Sequence, residues 1–133
     1  MLEFRFISFF HRLDEYPTEL ALPALRLSAT LLENEDLNVK ILSFDLNESY
    51  ENIALKILRE NTKLLAFTGY IWTVDKIRAI IELLREMNFD GDIIIGGPEA
   101  NNLNYDLWED ISFCIGEGEE ILLHWCEERM LNY

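Results

Sequence analysis

The sequence predicts one α/β domain built on a doubly wound, five-stranded parallel sheet. Short β-rich runs alternate with helical patterns five times along the 133 residues, and the central runs carry no charge. Strands that are apolar on both faces need helices on both sides, and right-handed crossovers leave few topologies. We therefore expect a flavodoxin-like strand order of 2-1-3-4-5 in a single domain spanning residues 1–133.

The first half of the chain shows two strands and two helices. Residues 3–10, rich in Phe and Ile, have the length of a buried strand, and a loop at 11–17 follows. Pro23 suits the first position of a helix that ends near Asn34, and 39–44 is the second strand. Asn47 or Ser49 can cap the next helix. Its predicted apolar stripe is Tyr50, Ile53, Ala54, Ile57 and Leu58.

The second half continues the alternation. The third strand is Leu64–Thr68, the fourth is 93–95 and ends at Gly96, and the fifth is 111–115, with a short helix or turn at 103–108. The helix after the third strand turns Val74, Ile77, Ile81 and Leu84 inward, with Lys76, Arg78, Glu82, Arg85 and Glu86 largely off that face. The last helix is predicted to bury Ile121, Leu122, Trp125 and Cys126.

Composition excludes several classes of protein. With 25 acidic and 11 basic residues the net charge is −14, which disfavours binding to nucleic acid or to an anionic membrane. No apolar run approaches the roughly 20 residues of a membrane span, and the start lacks a secretory signal. The two cysteines, Cys114 and Cys126, are too few for a disulfide scaffold, so we expect both to be reduced and buried in a cytoplasmic protein.

Glycines gather at one predicted edge of the sheet. In a parallel sheet, ligands bind beyond the carboxyl ends of the strands, where the loops at 11–17, 68–73, 96–99 and 116–119 fall. Glycine lets a backbone approach a ligand closely, although tight strand-to-helix turns also favour it. Five of the six glycines lie in these loops: Gly69, Gly96, Gly97, Gly116 and Gly118.

Four segments carry a resemblance to a known family: 22–29, which opens the first helix, Thr68-Gly69-Tyr70-Ile71-Trp72, Gly96-Gly97-Pro98-Glu99 and Gly116-Glu117-Gly118-Glu119. From about Phe4 to Trp125 the chain resembles the cobalamin-binding domain at the amino end of many radical S-adenosylmethionine enzymes. The resemblance implies a Rossmann-like sheet that holds the nucleotide tail of cobalamin near its carboxyl edge, with the corrin above. The cofactor-binding residues it implies are Thr68, Gly69, Tyr70, Trp72, Thr73, Gly96, Gly97, Pro98, Glu99, Gly116, Glu117 and Gly118.

Several of these residues have a second interpretation. Tyr70 and Trp72 either cover a corrin or pack as core, since aromatic residues dominate cores. Thr68 and Thr73 are suitable hydrogen-bond donors to a buried tail. Glu117 lies near the cofactor edge or the partner-domain face by resemblance, while capping of the last helix explains it equally well.

No motif supplies a metal ligand. Cobalamin proteins in which a histidine is the lower cobalt ligand carry Asp-x-His-x-x-Gly after the first strand. His11 lacks both the Asp and the Gly, so it is only a weak candidate for a cobalt ligand, and we expect a solvent-facing loop histidine instead. The resemblance implies cobalamin with its base displaced and no histidine beneath. The chain also lacks Cys-x-x-x-Cys-x-x-Cys, so it holds no iron–sulfur cluster and should not catalyse alone.

The expected role is therefore that of a cobalamin-binding module, either an excised domain or a stand-alone carrier. It would serve a radical S-adenosylmethionine domain in cis or in trans, in methyl transfer or a related maturation reaction. The alternative is a scaffold or interaction domain that no longer binds the cofactor, its pocket filled by Phe67, Tyr70 and Leu103.

A response-regulator receiver is rejected because Thr68 and Glu117 replace its Asp and Lys. The residues after strand one exclude a flavodoxin or dinucleotide loop.

Overall fold

The computed structural model describes residues 2–10, 36–68, 73–96, 110–113 and 118–131. Its strands are β1 (Leu2–Phe10), β2 (Leu37–Asp45), β3 (Leu64–Thr68), β4 (Asp92–Gly96) and β5 (Ile111–Phe113). Its helices are α1 (Tyr50–Arg59), α2 (Val74–Glu86) and α3 (Gly118–Met130). The strands form one parallel sheet in the order β2-β1-β3-β4-β5, which confirms the predicted fold class.

The strand boundaries follow from pairing. β2 is longer than the predicted 39–44 because it pairs with all of β1, from Leu2 opposite Leu37 to Phe10 opposite Asp45. β5 is described as far as Phe113, and the rest of its predicted range lies outside the described residues. So do the predicted helix from Pro23 to Asn34 and the segment 103–108.

One face of the sheet packs against α1 and α2. Strand side chains alternate between faces, so the odd-numbered residues of β1, β3 and β4 point to this side. Ile53 and Ile57 of α1 and Ile77 and Leu84 of α2 are fully buried there. The strand residues in the same cluster are Ile7, Phe9, Leu65, Phe67, Ile93, Ile95 and Ile111. Phe67 is therefore a core residue beneath these two helices.

The opposite side of the sheet, here called the α3 face, packs against α3. Its buried residues are Phe4, Phe6, Leu37, Leu64, Ala66 and Ile94 of the sheet, with Leu122, Trp125 and Cys126 of the helix. The prediction that Ile121 is also buried is wrong, since 43% of it is exposed. It lies one residue, or about 100° of helix rotation, away from Leu122.

Ser49 is the N-cap of helix α1, and its hydroxyl accepts a hydrogen bond from the Asn52 backbone N–H at 3.2 Å. This settles the predicted choice of cap in favour of Ser49 over Asn47. Tyr50 was predicted in the buried stripe, but it is 41% exposed because it is the first helical residue, ahead of the face that meets the sheet. Ile53, Ala54 and Ile57 are buried as predicted.

Lys76 departs from the predicted pattern of α2. It was expected off the apolar face, yet it is only 8% exposed. Its ammonium group donates to the backbone carbonyls of Leu46 and of Glu48, the latter at 3.0 Å. Burial lowers the pKa of Lys76 below its ordinary value of 10.5. The side chain fastens the loop after β2 to the start of α2.

Cys126 is completely buried, as predicted, and burial raises the pKa of its thiol to about 12. A thiol with that pKa is inert near neutral pH. Cys114 lies outside the described residues. Within the described ranges, each helix is too short or too polar to cross a membrane.

Candidate ligand site at the carboxyl edge of the sheet

The order of the strands produces a switch point, which is the place in the sheet where successive connections reverse direction. β1 lies between β2 and β3. The connection from β1 therefore leads to its neighbour β2 in one direction, and the next connection leads back past β1 to β3 in the other. Loops at such a switch point separate and leave a crevice beyond the carboxyl ends of the two strands. Here those ends are Phe10 and Thr68, with Gly96 of β4 beside Thr68.

On the α3 face, the side chains of β1 and β4 become smaller toward this crevice, from Phe6 to Ser8 and from Ile94 to Gly96. Phe6 of β1 pairs with Ala66 of β3, and Ala66 pairs with Ile94 of β4. Two residues nearer the carboxyl edge, Thr68 pairs with Gly96. Ser8 follows Ile7, which pairs with Phe67, so continuing this register brings Ser8 beside Thr68. We call these three the small-residue row. Ser8 and Gly96 thus follow the bulkier Phe6 and Ile94 on this face, whereas Thr68 follows the smaller Ala66.

Burial within the small-residue row is graded. Ser8 is 5% exposed, whereas Thr68 and Gly96 at the strand ends are half-buried. The hydroxyl groups of Ser8 and Thr68 and the backbone of β4 thus lie at the carboxyl edge of the layer between the sheet and α3. A ligand entering from the carboxyl edge would meet small, partly polar groups first and an apolar layer beyond them.

Thr73 fastens the end of β3 to the start of α2. Its hydroxyl donates to the Thr68 carbonyl at 3.3 Å, and its side chain is 2% exposed. The structure therefore brings together two residues that were predicted to act as donors to a ligand. In this geometry the Thr73 proton already has a backbone acceptor.

The structure places four of the predicted site residues. Thr68 and Gly96 belong to the small-residue row, Thr73 adjoins Thr68, and Gly118 is the first residue of α3. The remaining predictions fall outside the described residues and stay predictions: His11, Gly69, Tyr70, Trp72, Gly97, Pro98, Glu99, Gly116 and Glu117.

An unsatisfied donor lies within the α3 face. The Trp125 side chain is 6% exposed, and its indole N–H has no hydrogen-bond acceptor among the described residues. Its ring meets Phe4 edge to face at a centroid distance of 6.4 Å, and the Arg129 guanidinium lies 4.8 Å from its centroid. Buried polar groups are almost always paired, so this N–H is an exception that needs a reason.

Metal ligation by clustered side chains is not seen in the described part of the chain. No group of three or more His, Cys, Asp or Glu residues is placed to hold an ion there. His124 lies on the exposed side of α3, where its Nε2 is 2.9 Å from a carboxylate oxygen of Glu128.

The fold and the small-residue row define a class of protein: a doubly wound α/β domain with a candidate ligand site at the carboxyl edge of its sheet. Comparison with known families identifies the domain further. The B12 binding domain matches residues 14–124, and the chain belongs to that family. The predicted cofactor, cobalamin, is confirmed by this membership.

A solved structure agrees with the fold. The chain is similar to a cobalamin-binding protein from Desulfitobacterium hafniense, known from a 1.5 Å crystal structure, with a TM-score of 0.61 and 13% identity. The alignment covers 96% of this chain but only 58% of that protein. At this identity the likeness concerns the fold alone. A search of curated proteins finds no match.

Sequence reasoning missed two residues of this region. Ser8 stands in a Phe-rich run, and only its even-numbered position, shared with Phe4 and Phe6, could have placed it on the α3 face. Trp125 was predicted to be buried, but the lack of a partner for its N–H depends on three-dimensional surroundings that helical spacing does not encode.

Proposed function

We propose that this chain is a cobalamin-binding module that holds the nucleotide tail of the cofactor against the α3 face of the sheet. The observation that carries the proposal is the small-residue row at the switch point. Ser8, Thr68 and Gly96 carry small side chains or none at positions where large ones would close the layer. Membership of the B12-binding family supports the choice of ligand.

The residues of the row suit a long, partly polar group. Large side chains at these positions would overpack the layer, whereas Gly96 lets a ligand approach the β4 backbone. The hydroxyl groups of Ser8 and Thr68 provide hydrogen-bonding atoms for polar groups that would otherwise be buried without partners. The apolar floor behind them, from Phe6, Ala66 and Ile94, supplies contact area.

We further propose that cobalamin is held with its own base displaced and with no histidine beneath the cobalt. The sequence has two histidines and no Asp-x-His-x-x-Gly motif. His124 supports this because it lies exposed on α3, paired with Glu128. The chemistry that bound cobalamin supplies is transfer of an alkyl group by way of cobalt, and the residues of this chain would bind and orient the cofactor for it.

The proposed partner is a radical S-adenosylmethionine domain, in cis or in trans, that carries out methyl transfer or a related maturation step. The support is the resemblance of the glycine-containing loops to that branch of cobalamin proteins. The chain has two cysteines, so it lacks the three-cysteine motif for an iron–sulfur cluster, and Cys126 is buried. The radical chemistry would therefore reside in the partner.

The test is retention of cobalamin by the purified chain. Hydroxocobalamin and methylcobalamin are titrated in, excess is removed by gel filtration, and the visible spectrum of the protein fraction is recorded. A retained cofactor with a base-off spectrum is the expected result. Loss of all cofactor from a folded chain would contradict the proposal and favour a scaffold role.

A matched pair of variants locates the site. Gly96→Val adds a branched side chain to the small-residue row, and we expect at least tenfold weaker binding, a loss of about 1.4 kcal/mol. Ile95→Val changes a neighbouring residue that points to the opposite, α1 and α2 face, and should leave binding unchanged. Circular dichroism checks that both variants fold. Equal affinities in the two variants would place the tail elsewhere.

A further inference from the structure

We infer that Lys76 is a positioning residue for the cofactor: its ammonium group holds the start of α2 across the end of β1 and so fixes one side of the site at the switch point. The inference rests on the proposed function and adds to it a residue from the opposite face of the sheet. The observation behind it is a buried lysine, 8% exposed, whose ammonium group connects α2 with three other elements at the carboxyl edge.

The contacts of Lys76 reach from α2 to β1, to the loop after β2 and to α1. Its ammonium group donates to the backbone carbonyls of Leu46 and Glu48, the latter at 3.0 Å. It lies 5.8 Å from the centre of the Phe9 ring of β1 and 5.0 Å from that of Tyr50, the first residue of α1. A cation at these distances is attracted to the face of an aromatic ring. One side chain thus holds four elements together.

These contacts lie at the switch point. α2 follows β3, and β1 separates β3 from β2 in the sheet. A side chain that runs from α2 to the loop after β2 therefore passes the carboxyl end of β1. Phe9, which it contacts there, is next to Ser8 of the small-residue row, although the two side chains point to opposite faces. The start of α2 and the end of β1 are thus held at a fixed separation beside the proposed site.

A second hydrogen bond holds the same turn of α2 from the side of β3. The Thr73 hydroxyl donates to the Thr68 carbonyl at 3.3 Å, and the Thr73 carbonyl accepts from the Ile77 N–H at 2.9 Å. Thr73 and Lys76 therefore fasten one helical turn both to β3 and to the loop after β2. Groups that are held in place before a ligand arrives need not be ordered when it binds, which favours binding.

The burial of a charge distinguishes this role from simple packing. Burial lowers the pKa of Lys76, and the carboxylates of Asp45 and Glu48 act in the opposite direction. An apolar side chain of similar length would fill the same space without the unfavourable desolvation of an ammonium group. What the ammonium group adds is a fixed position for the loop and for the first turn of α2. Replacing it with an apolar group should therefore affect ligand binding more than folding.

The experiment compares Lys76→Met with Lys76→Arg in the purified chain, with methylcobalamin as the ligand. Met keeps the apolar stem but donates no hydrogen bond, and we expect about tenfold weaker binding. Arg keeps donors for both carbonyls and should bind within about threefold of the wild type. Exchange of the Ile77 amide hydrogen, which reports on the first turn of α2, should be about fivefold faster in Lys76→Met than in the wild type.

Ser49→Ala is the matched control. It removes a hydrogen bond at the start of α1, beside the same loop, and leaves Lys76 in place. Its affinity for methylcobalamin should stay within about twofold of the wild type. All affinities are measured well below the unfolding transition, with circular dichroism to confirm folding, so that a change in stability alone leaves them unaltered.

Each contrary result has a distinct meaning. Unchanged affinity of Lys76→Met, or equal losses in Lys76→Met and Lys76→Arg, would overturn the inference while leaving cobalamin binding by the wild type intact. Equal losses in Lys76→Met and Ser49→Ala would also overturn it, since any disturbance of the loop would then weaken binding. If Lys76→Met does not fold, Lys76→Leu, which likewise lacks a donor, takes its place and is judged by the same results. Failure of the wild type to bind methylcobalamin would overturn the proposed function, and this inference with it.

Discussion

At the scale of single residues, the most buried charge in the sheet is that of Arg5. Its side chain is 2% exposed and donates to the carbonyls of Phe4 and Asn38 at 2.9 and 2.8 Å. It also pairs with the carboxylates of Glu3 and Glu60. A buried guanidinium is tolerated only when it is paired in this way, so the amino edge of the sheet depends on two carboxylates staying ionised.

This cluster predicts a sensitivity to acid. The amide of Asn38 donates to Glu3 at 2.7 Å, and this hydrogen bond, with the Arg5 guanidinium, lowers the pKa of Glu3 below its ordinary value of 4.5. A carboxyl whose pKa is lower in the folded state stabilises the fold above about pH 4.5 and loses that effect as pH falls through the folded-state pKa. Glu3→Gln should therefore destabilise by about 1–2 kcal/mol at pH 7 and by progressively less toward pH 3.

Urea unfolding at pH 7, 5, 4 and 3 measures the effect. Glu86→Gln, at an exposed position on α2, is the control and should stay within about 0.5 kcal/mol of the wild type at each pH. A difference between Glu3→Gln and wild type that does not vary with pH would show that Glu3 acts through packing rather than charge.

At the scale of elements, spacing along the sequence predicted all five strands and the helices that the structure describes. Period-two and period-3.6 patterns work because one side of each element is buried. They fail where a local backbone group changes the environment of one side chain. Lys76 is the example: its position on α2 is adjacent to the buried stripe, and the carbonyls of Leu46 and Glu48 make burial of its ammonium group possible.

The start of α1 offers a direct test of an element boundary. Ser49→Ala removes the acceptor for the Asn52 N–H and should lower the free energy of unfolding by about 1 kcal/mol. Asn47→Ala, at the other position that the sequence offered as a cap, should change it by less than about 0.5 kcal/mol. The measurement is chemical denaturation of both variants at neutral pH. Similar losses in the two would mean that Ser49 is not the residue that defines the boundary.

At the scale of the whole molecule, topology determines where a ligand can lie, and much of that could be predicted. Alternating strands and helices indicated the strand order, and the order locates the crevice beside β1 and β3. Thr68 and Gly96 were predicted because they end strands. Ser8 could not be, since its place beside Thr68 depends on the register between two strands whose paired residues are 60 positions apart in the sequence. Composition and spacing do not fix that register.

Binding of cobalamin should raise the stability of the whole fold. A ligand that binds only the folded chain stabilises it by RT ln(1 + [L]/Kd), which is about 1.4 kcal/mol at ten times Kd and about 2.7 kcal/mol at one hundred times. For a domain of this size the larger value corresponds to a rise in melting temperature of about 10 °C. Differential scanning calorimetry with increasing hydroxocobalamin should show this continued rise, since only the folded chain would bind the cofactor. Cobinamide at equal concentration should produce a smaller shift, because without the tail it contacts only the carboxyl edge. Equal shifts for the two corrinoids would mean that the layer between the sheet and α3 takes no part in binding.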